Sequence, residues 1–521
     1  MFVMFSSSAS LYALAVLVVL VTYTLKRRSR NVLLPPGPPG YPIIGNVYDI
    51  PQGYAWLTYK EWAKTYGDVL RVEAFGKTTI ILNSLKAAME LLDKRSSNSS
   101  DRPRLVMADE LMGWEWDFAH MAYSDRWRRH RRVFHQYFQP RNLVSYYPIQ
   151  KKVTANLLSQ LGRSPENFAA HIRQHVGSVV LNAAYGYEVQ AENDFYIQLA
   201  HKAIQPLLSS VHAGHYLVDF LPFLKHVPSW FPGAGFKRRA EEWAVNTRAL
   251  RDIPFNTVKQ AIANGTSKQS FVSDNLDKIN NDATLARREA ETEIVKNCAG
   301  IVYLAGSDTS ASVVRSWFLA MAHHPDIQRK AQAEVERVVG DSRLPDFEDR
   351  PAMPYVEAML LEVMRWAVVT PLGVPHRMVK DDVYGGYRIP AGTTVTANVW
   401  AILHDEEIYP EPFRFNPERF LKDGKLVFDQ PDPTTIGAFG FGRRICPGRY
   451  LASNSSWIAI VSILAIYDIS KAKDEQGNTI EPLIEFTDGL VSHPKPFTVS
   501  ITPRSENSKK LVEAAAQEMS S

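Results

Sequence analysis

The chain has 521 residues, enough to bury one large core or two to three ordinary ones. Its hydrophobic fraction of 45% and charged fraction of 22% are those of a globular protein and exclude a disordered chain. The net charge of +4 is small for this length, so no overall charge indicates nucleic acid as a partner. Two cysteines, Cys298 and Cys446, allow at most one disulfide, which indicates a reducing compartment for the body of the protein.

The N-terminus has the pattern of a membrane anchor. Its first 25 residues contain no Asp, Glu, Lys or Arg, and the basic cluster KRRSR follows at residues 26–30. A cleaved signal peptide would carry its positive charge before the apolar stretch, and here the order is reversed. Because basic residues stay on the cytoplasmic side, residues 1–30 are predicted to be a signal anchor with one transmembrane helix. A buried core helix is the alternative.

A proline-rich segment separates this anchor from the body of the chain. Residues 34–40 read LPPGPPG and cannot form a helix, because proline lacks an amide donor and fixes φ. Residues 31–40 are therefore predicted to be a stiff hinge, followed by one catalytic domain over residues 41–505. The tail, residues 506–521, is predicted to be loose with some helical tendency.

Helical patterns dominate the domain, and strands are few. Residues 69–82 alternate as two strands around a turn at Gly76-Lys77, and residues 383–399 are typical of short strands joined by tight turns. Residues 290–323 predict one unusually long helix, interrupted at residues 305–309. Helical spacing recurs in five further segments: 56–66, 86–95, 328–339, 353–366 and 447–466. The predicted fold is mainly α with a minor β region.

One glycine-rich segment carries the strongest chemical signal. Residues 439–448 read FGFGRRICPG, whose glycines permit a tight turn beside a large flat group. Cys446 stands just before a predicted helix, with Pro447 suited to the first helical position. A helix N-terminus favours thiolate over thiol, and thiolate is the form in which cysteine ligates haem iron. Arg444 could pair with a haem propionate. The alternative is a structural cysteine in a glycine loop.

This segment matches the haem-binding signature of cytochromes P-450, Phe-x-x-Gly-x-Arg-x-Cys-x-Gly. Phe439, Gly442, Arg444, Cys446 and Gly448 fill its fixed places. The chain resembles this family from the hinge to about residue 500, and most of all fungal microsomal members of the O-methylsterigmatocystin oxidoreductase type. The resemblance implies the cytochrome P-450 fold, heme b as cofactor and Cys446 as the axial ligand of its iron.

A second motif of the family concerns stability. Glu362 and Arg365 are three residues apart on a predicted helix, where they can pair, although most such pairs are solvated surface contacts. They match the family's Glu-x-x-Arg, whose partner is the arginine of a later Pro-Glu-Arg-Phe, here Arg419. The resemblance implies a buried ion pair that locks the core and takes no part in the chemistry.

The predicted interruption of the long helix resembles the family's oxygen-activation stretch. Residues 305–309 read AGSDT. A glycine and a threonine there can open the helix ladder and leave a groove for dioxygen and water. The Thr309 hydroxyl and the Asp308 carboxylate would then relay protons. The alternative is an Asp-Thr pair without a function.

Further propionate contacts are implied by the resemblance. They are Trp127 and Arg131 of a Trp-x-x-x-Arg motif, His376 (with Arg377 as the alternative), and Arg102. Three more arginines of the same motif, Arg128, Arg129 and Arg132, either form a basic face for an acidic reductase or are simply solvated.

The activity that the resemblance implies is monooxygenation, in which an organic substrate, O2 and two electrons give a hydroxylated product and water. The electrons are expected from NADPH-cytochrome P-450 reductase in the same endoplasmic reticulum membrane, with the catalytic domain in the cytosol. An apolar substrate is expected, and residues 228–232 (PSWFP) could dip into the bilayer. Two alternatives stay open: a haem-thiolate isomerase or dehydratase that needs no external electrons, and a haem-binding sensor.

Overall fold

The computed structural model describes residues 33–190, 193–211, 216–282 and 285–518. The predicted anchor, residues 1–30, lies outside the described residues. Residues 33–40 of the predicted hinge form no helix or strand, and they lie along the first strand, where the amide of Arg71 donates to the carbonyl of Pro36 at 2.8 Å. Gly37 is required at this contact, because a Cβ atom there would lie 1.9 Å from the carbonyl oxygen of Arg71.

Helices make up most of the described chain, as predicted. In chain order they are α1 (Ala55–Tyr66), α2 (Leu85–Ala88), α3 (Ser96–Ser99), α4 (Asp125–Phe138), α5 (Tyr147–Arg163), α6 (Phe168–Tyr185), α7 (Phe195–Ser210), α8 (Leu217–Phe220), α9 (Gly235–Ala263), α10 (Phe271–Asp282), α11 (Leu285–His323), α12 (Pro325–Val339), α13 (Pro354–Trp366), α14 (Val399–Leu403), α15 (Arg449–Ile466) and α16 (Glu506–Glu518). Two π-helical turns, Met89–Lys94 and Val106–Leu111, stand among them.

The strands form one four-stranded sheet, two short hairpins and a two-stranded antiparallel sheet whose strands are far apart in the chain. In chain order, the strands are β1 (Val69–Ala74), β2 (Lys77–Leu82), β3 (His376–Arg377), β4 (Asp382–Tyr384), β5 (Tyr387–Ile389), β6 (Thr394–Ala397), β7 (Leu421–Lys422), β8 (Lys425–Leu426), β9 (Tyr467–Lys471) and β10 (Val499–Pro503). The four-stranded sheet has the order β1-β2-β6-β3, with β2 and β6 parallel and the other neighbours antiparallel. Both predicted strand regions are confirmed, and so is the mainly α fold with a minor β region.

The long helix α11 organises the core. Its N-terminal half packs with α4, α6, α7 and α9, and its C-terminal half packs with α5, α13 and α15. The predicted interruption at residues 305–309 is wrong, because the helix is continuous over its 39 residues. The Thr309 hydroxyl donates to the carbonyl of Ala305 at 2.9 Å, so its polar group is satisfied without opening the ladder.

The C-terminal tail forms a packed helix, whereas only some helical tendency was predicted for it. Residues 506–518, predicted as a loose tail, form α16, which packs against α5 and buries Val512. That prediction is corrected, because tertiary burial of one apolar face stabilises a helix that is weak in isolation.

Within the described residues, α15 is long and apolar enough to cross a membrane, and 72% of that span is buried inside the protein.

Candidate active site

A loop over residues 437–448 holds the signature cysteine. The amide of Cys446 donates to the carbonyl of Phe439 at 2.8 Å, which closes the loop at its base. Gly442 has a φ of 53°, and a Cβ atom there would lie 2.3 Å from the carbonyl oxygen of Leu92. Glycine is therefore required where the loop docks on the π-helical turn Met89–Lys94, and this docking fixes the position of Cys446.

The surroundings of Cys446 oppose the effect of its burial. Helix α15 begins at Arg449, two residues after the predicted start at Pro447, so the backbone amides of Gly448 and Arg449 both reach the thiol. Burial raises the pKa of the Cys446 thiol, while these amides and the charges of Arg131 and Arg449 act in the opposite direction. These four groups would stabilise a thiolate.

The other cysteine offers no such environment. Cys298 is fully buried in α11, and its thiol donates to the carbonyl of His130 at 3.5 Å. Burial alone raises the pKa of this thiol. Both cysteines are free, so Cys446 is the cysteine that suits metal ligation.

Two buried arginines lie beside the cysteine loop with no carboxylate within ion-pair distance, although Asp101 and Asp117 act on both charges from farther away. Neither Arg102 nor Arg444 forms an ion pair within the described part of the chain, although both side chains are buried. Their acceptors are backbone carbonyls: Ser100, Phe118 and Met121 for Arg444, at 2.6 to 3.3 Å, and Ala119, Val374 and Pro375 for Arg102, at 2.7 to 2.9 Å. Burial lowers the pKa of Arg444 to about 10, and burial together with the charge of Arg444 lowers that of Arg102.

The remaining predicted propionate residues gather around these two arginines. The guanidinium of Arg444 lies 4.3 Å from the ring centroid of Trp127. Burial lowers the pKa of Arg131 to about 10. The positive charge of Arg131 attracts a thiolate at Cys446 and repels the guanidinium of Arg444. Nδ1 of His376 donates to the carbonyl of Ser99 at 2.8 Å, and burial together with the charges of Arg102 and Arg444 holds the pKa of His376 well below the usual value. His376 is therefore a neutral ring in this cluster.

Arg377, the alternative to His376, lies outside the cluster. Its side chain is 42% exposed and pairs with Asp101 at 3.5 Å. Because it already has a carboxylate partner at the surface, His376 is the member of the pair that belongs to the buried site.

The donor set fits a haem. A buried guanidinium without a carboxylate is unfavourable, and a dianionic ligand would offset that cost for Arg102, Arg131 and Arg444 together. The two propionates of a haem are such a ligand, and charge-assisted hydrogen bonds to carboxylates are the strong kind. The same Arg131 acts on Cys446, so the arginine cluster and the cysteine are near each other, and a haem would offer an iron to the sulfur and propionates to the arginines.

The oxygen-activation stretch forms the accessible part of α11. Residues 301–304 and 310–314 are buried, whereas Ala305 is exposed and residues 306–309 are half-buried. Gly306 allows α6 to approach, because a Cβ atom there would lie 2.5 Å from Cγ1 of Val180. The structure therefore leaves Asp308 and Thr309 partly accessible between two buried stretches of α11, residues 301–304 and 310–314.

Asp308 has a partner that the sequence did not indicate. Nε2 of His493 lies 3.1 Å from Oδ2 of Asp308, and the two side chains are 18% and 19% exposed. His493 stands 185 residues later, in an irregular hairpin near the C-terminus. No motif or spacing in the chain could have linked the two.

The predicted ion-pair residues meet away from the cysteine loop. Glu362 and Arg365 are fully buried on α13, and Nε of Arg419 lies 3.1 Å from the Glu362 carboxylate.

Comparison with known proteins agrees with this site. The family model described as cytochrome P450 matches residues 35–501. A cytochrome P450 monooxygenase of Armillaria gallica is 41% identical over 510 residues, 97% of this chain and 99% of that protein. A cytochrome P450 monooxygenase of Postia placenta is 42% identical over 505 residues, 96% of each chain. A tryptamine 4-monooxygenase of Psilocybe cyanescens is 38% identical over 501 residues, 94% of this chain and 97% of that protein.

The match extends over almost the whole length of this chain and of its relatives. Members of the family bind heme b and use O2, an organic substrate and a redox partner. The chain therefore belongs to the cytochrome P450 family and is a haem-thiolate monooxygenase.

Proposed function

We propose that this protein is a microsomal monooxygenase that inserts one oxygen atom from O2 into an apolar substrate. The electrons come from NADPH-cytochrome P-450 reductase, and the catalytic domain faces the cytosol from the endoplasmic reticulum membrane. One observation carries the assignment of the site. Cys446, with thiolate-stabilising groups around it, is acted on by Arg131, which also acts on Arg444, and neither Arg444 nor Arg102 forms an ion pair among the described residues.

Each residue of the site has a distinct task. Cys446 holds the iron of heme b, which when bound supplies the activation of O2. The propionates are held by the cluster described above: Arg102, Trp127, Arg131, His376 and Arg444. Phe439, Gly442 and Gly448 shape the loop around the cysteine. Asp308 and Thr309 move protons from solvent toward the reacting oxygen, Thr309 through the hydroxyl that now donates to Ala305.

An apolar substrate is supported by the segments that meet above α11. The π-helical turn Val106–Leu111 packs against α7, α8 and α9 and against the turn at Pro222–His226. Leu105 and Leu111, at the two ends of this turn, are half-buried and pack against the core around the N-terminal half of α11. A pocket between these segments would present mostly apolar side chains to its ligand.

A membrane-facing side is supported by exposed aromatic and aliphatic residues. Trp230 is 77% exposed and Phe223 is 64% exposed, close to the half-exposed Phe231. The ring of Phe220 lies 5.7 Å from that of Phe75, whose amide in turn donates to the carbonyl of Ile44. The exposed Tyr41, Ile43 and Tyr48, which follow the hinge and flank Ile44, are thus on the same side as residues 217–231. Such a patch next to a predicted anchor favours contact with lipid.

A docking face for the reductase is supported by α4. Arg128 and Arg129 pair with Asp125 and Glu291, at 2.6 and 3.0 Å. Two further exposed arginines, Arg126 and Arg132, form no ion pair within the described ranges. Because Trp127 and Arg131 of the same helix point inward, an acidic partner bound on α4 would lie close to the site.

The test is the difference spectrum of the dithionite-reduced protein with and without carbon monoxide. We expect a strongly red-shifted Soret band for the wild type and for the matched control Cys298→Ala, and no such band for Cys446→Ala. A band of histidine-ligated haem in the wild type would overturn the assignment of Cys446. NADPH-dependent oxygenation with reductase, over a panel of apolar compounds, then tests the reaction itself.

A further inference from the structure

A C-terminal hairpin is fastened to α11 directly beside the oxygen-activation stretch. Residues 485–495 double back on themselves, with backbone bonds between Thr487 and His493 and between Glu485 and Lys495. Three side chains of α11 at i, i+4 and i+7 hold this hairpin: Asp308 contacts His493, Ser312 donates to the carbonyl of Ser492 at 2.6 Å, and Arg315 donates to that of Pro494 at 3.0 Å. Hydrogen bonds at three positions thus join one face of α11 to the hairpin.

The hydrogen-bonding partners define the tautomer of His493. Its Nε2 faces the Asp308 carboxylate at 3.1 Å, and its Nδ1 is buried with no partner in the described part of the chain. A proton on Nδ1 would be a buried donor without an acceptor, which costs about 1–3 kcal/mol. A proton on Nε2 instead donates to the carboxylate. The assigned tautomer therefore carries its proton on Nε2.

The bond to His493 determines the direction in which the carboxylate of Asp308 is held, next to the hydroxyl of Thr309. Thr309 is tied back to Ala305 within the helix, whereas Asp308 is tied outward to the hairpin. The other charged group on this face is Arg315. Burial and the positive charge of Arg173 lower the pKa of Arg315, and the negative charge of Asp308 raises it. Arg315 itself donates to Pro494, so His493 is the side chain that fixes the direction of the Asp308 carboxylate.

We propose that His493 is a positioning residue for proton delivery, holding the carboxylate of Asp308 through its Nε2 proton so that Asp308 and Thr309 act together. The inference rests on the proposed function and deepens it. His493 touches neither cofactor nor substrate in this assignment. Its effect passes through Asp308, so a loss of the bond should alter proton delivery while leaving haem ligation intact.

Two isosteric variants separate this role from a merely structural one. Glutamine places an amide nitrogen where Nε2 stands in histidine, and asparagine places one where Nδ1 stands. We expect His493→Gln to retain wild-type behaviour. We expect His493→Asn to lower the rate of reductase-supported NADPH oxidation by roughly 10-fold, the lower end of the effect of removing a hydrogen-bond partner from an active-site group, and to enlarge its solvent isotope effect. Ser312→Ala, which loosens the same hairpin without touching Asp308, should leave the isotope effect unchanged.

A readout without turnover accompanies this comparison. The C–O stretching band of the reduced carbon monoxide complex responds to nearby polar groups, so it should shift in His493→Asn and not in His493→Gln or Ser312→Ala. Equal effects of His493→Asn and Ser312→Ala on both measurements would overturn the proposal, because they would reduce His493 to an anchor of the hairpin. A wild type that gives no red-shifted carbon monoxide band or oxidises no NADPH would instead overturn the proposed function, and this inference with it.

Discussion

The carboxylate of Glu362 accepts two hydrogen bonds from the guanidinium of Arg365, at 2.7 and 2.8 Å, and neither side chain is exposed to solvent. Arg419 adds a third contact at 3.0 Å, and the amide of Asn416 a fourth at 2.8 Å. The cluster has one negative and two positive charges, and Arg365 also donates to the carbonyl of Leu403. This carboxylate therefore joins α13 to the irregular segment that precedes the cysteine loop.

Glu362→Gln should be strongly destabilising, because it leaves two buried guanidinium groups without their only carboxylate among the described residues. Breaking a buried pair in this way costs about 3–5 kcal/mol. Glu357→Gln is the matched control on the same helix, since Glu357 binds Arg350 at 2.8 and 2.9 Å but is half-buried. Its loss should be about 1 kcal/mol. Urea unfolding followed by tryptophan fluorescence measures both, and equal losses would contradict the special role of Glu362.

Local patterns predicted those parts of the site that depend on neighbours in the sequence. The spacing of Glu362 and Arg365, and the glycines before Cys446, carry their meaning within one helix turn or one loop. The contact of Asp308 with His493 depends on how a distant hairpin packs on α11, so no local pattern contained it. The interruption of α11 was predicted wrongly because a threonine hydroxyl can bond to the carbonyl four residues back without breaking a helix.

The carbonyl acceptors around the arginine cluster likewise depend on tertiary contacts and not on a local pattern. Arg444 was identified by its place in the signature, yet its bonds to Ser100, Phe118 and Met121 join segments more than 300 residues apart. Helix α16 likewise forms because Val512 finds a buried place against α5, and its own sequence indicated only a weak helical tendency. Tertiary contacts decided both features.

Gly442→Ala should disrupt the cysteine loop more than Gly440→Ala. Both glycines have positive φ, 53° and 79°, so alanine is strained at either position by about 1 kcal/mol. A Cβ atom on residue 442 would in addition lie 2.3 Å from the backbone oxygen of Leu92, whereas residue 440 has nothing within 4 Å. We expect Gly442→Ala to lose most of the red-shifted carbon monoxide band and Gly440→Ala to keep it. Similar bands in both variants would show that the loop can move away from Leu92.

Arg444→Leu should weaken haem retention, because Arg444 is a buried positive charge that forms no ion pair within the described chain. Loss of one charge-assisted bond to a propionate corresponds to about 1.4 kcal/mol or more, a roughly 10-fold faster loss of haem. Its neighbour Arg443 is exposed and donates to the hydroxyl of Tyr123, so Arg443→Leu is the control and should retain haem normally. The transfer of haem to excess apomyoglobin measures the rate. Unchanged transfer from Arg444→Leu would exclude a propionate contact.

Asp109 and its neighbour Glu110 should respond to pH in opposite ways. Burial raises the pKa of Asp109 to about 6, and its Oδ1 has no hydrogen-bond partner in the described ranges. Contacts with Arg104 and Lys225, at 2.5 and 2.7 Å, lower the pKa of Glu110 to about 2. The two carboxylates are adjacent on one π-helical turn, and the opposite signs of their pKa shifts follow from the burial of Asp109 and the ion pairs of Glu110.

For Asp109 the folded pKa lies above the unfolded value, so the folded state binds its proton more tightly. Its contribution to stability is fully present below about pH 4 and is lost as the pH rises through about 6. Asp109→Asn should therefore make no difference in acid and should stabilise by up to about 3 kcal/mol above neutrality. Between about pH 5 and pH 8 the advantage of this variant should grow by about 1 kcal/mol.

Glu110 supplies the control over the same interval. Its folded pKa lies below the unfolded value, so its stabilisation is present above about pH 4.5 and is lost only as the pH falls through about 2. Glu110→Gln should cost about 1 kcal/mol, since its ion pairs are open to solvent, and this loss should be flat from about pH 5 to pH 8. Urea unfolding at several pH values measures both variants. A flat profile for Asp109→Asn as well would mean that Asp109 keeps an ordinary pKa, because water reaches its carboxylate in the folded protein.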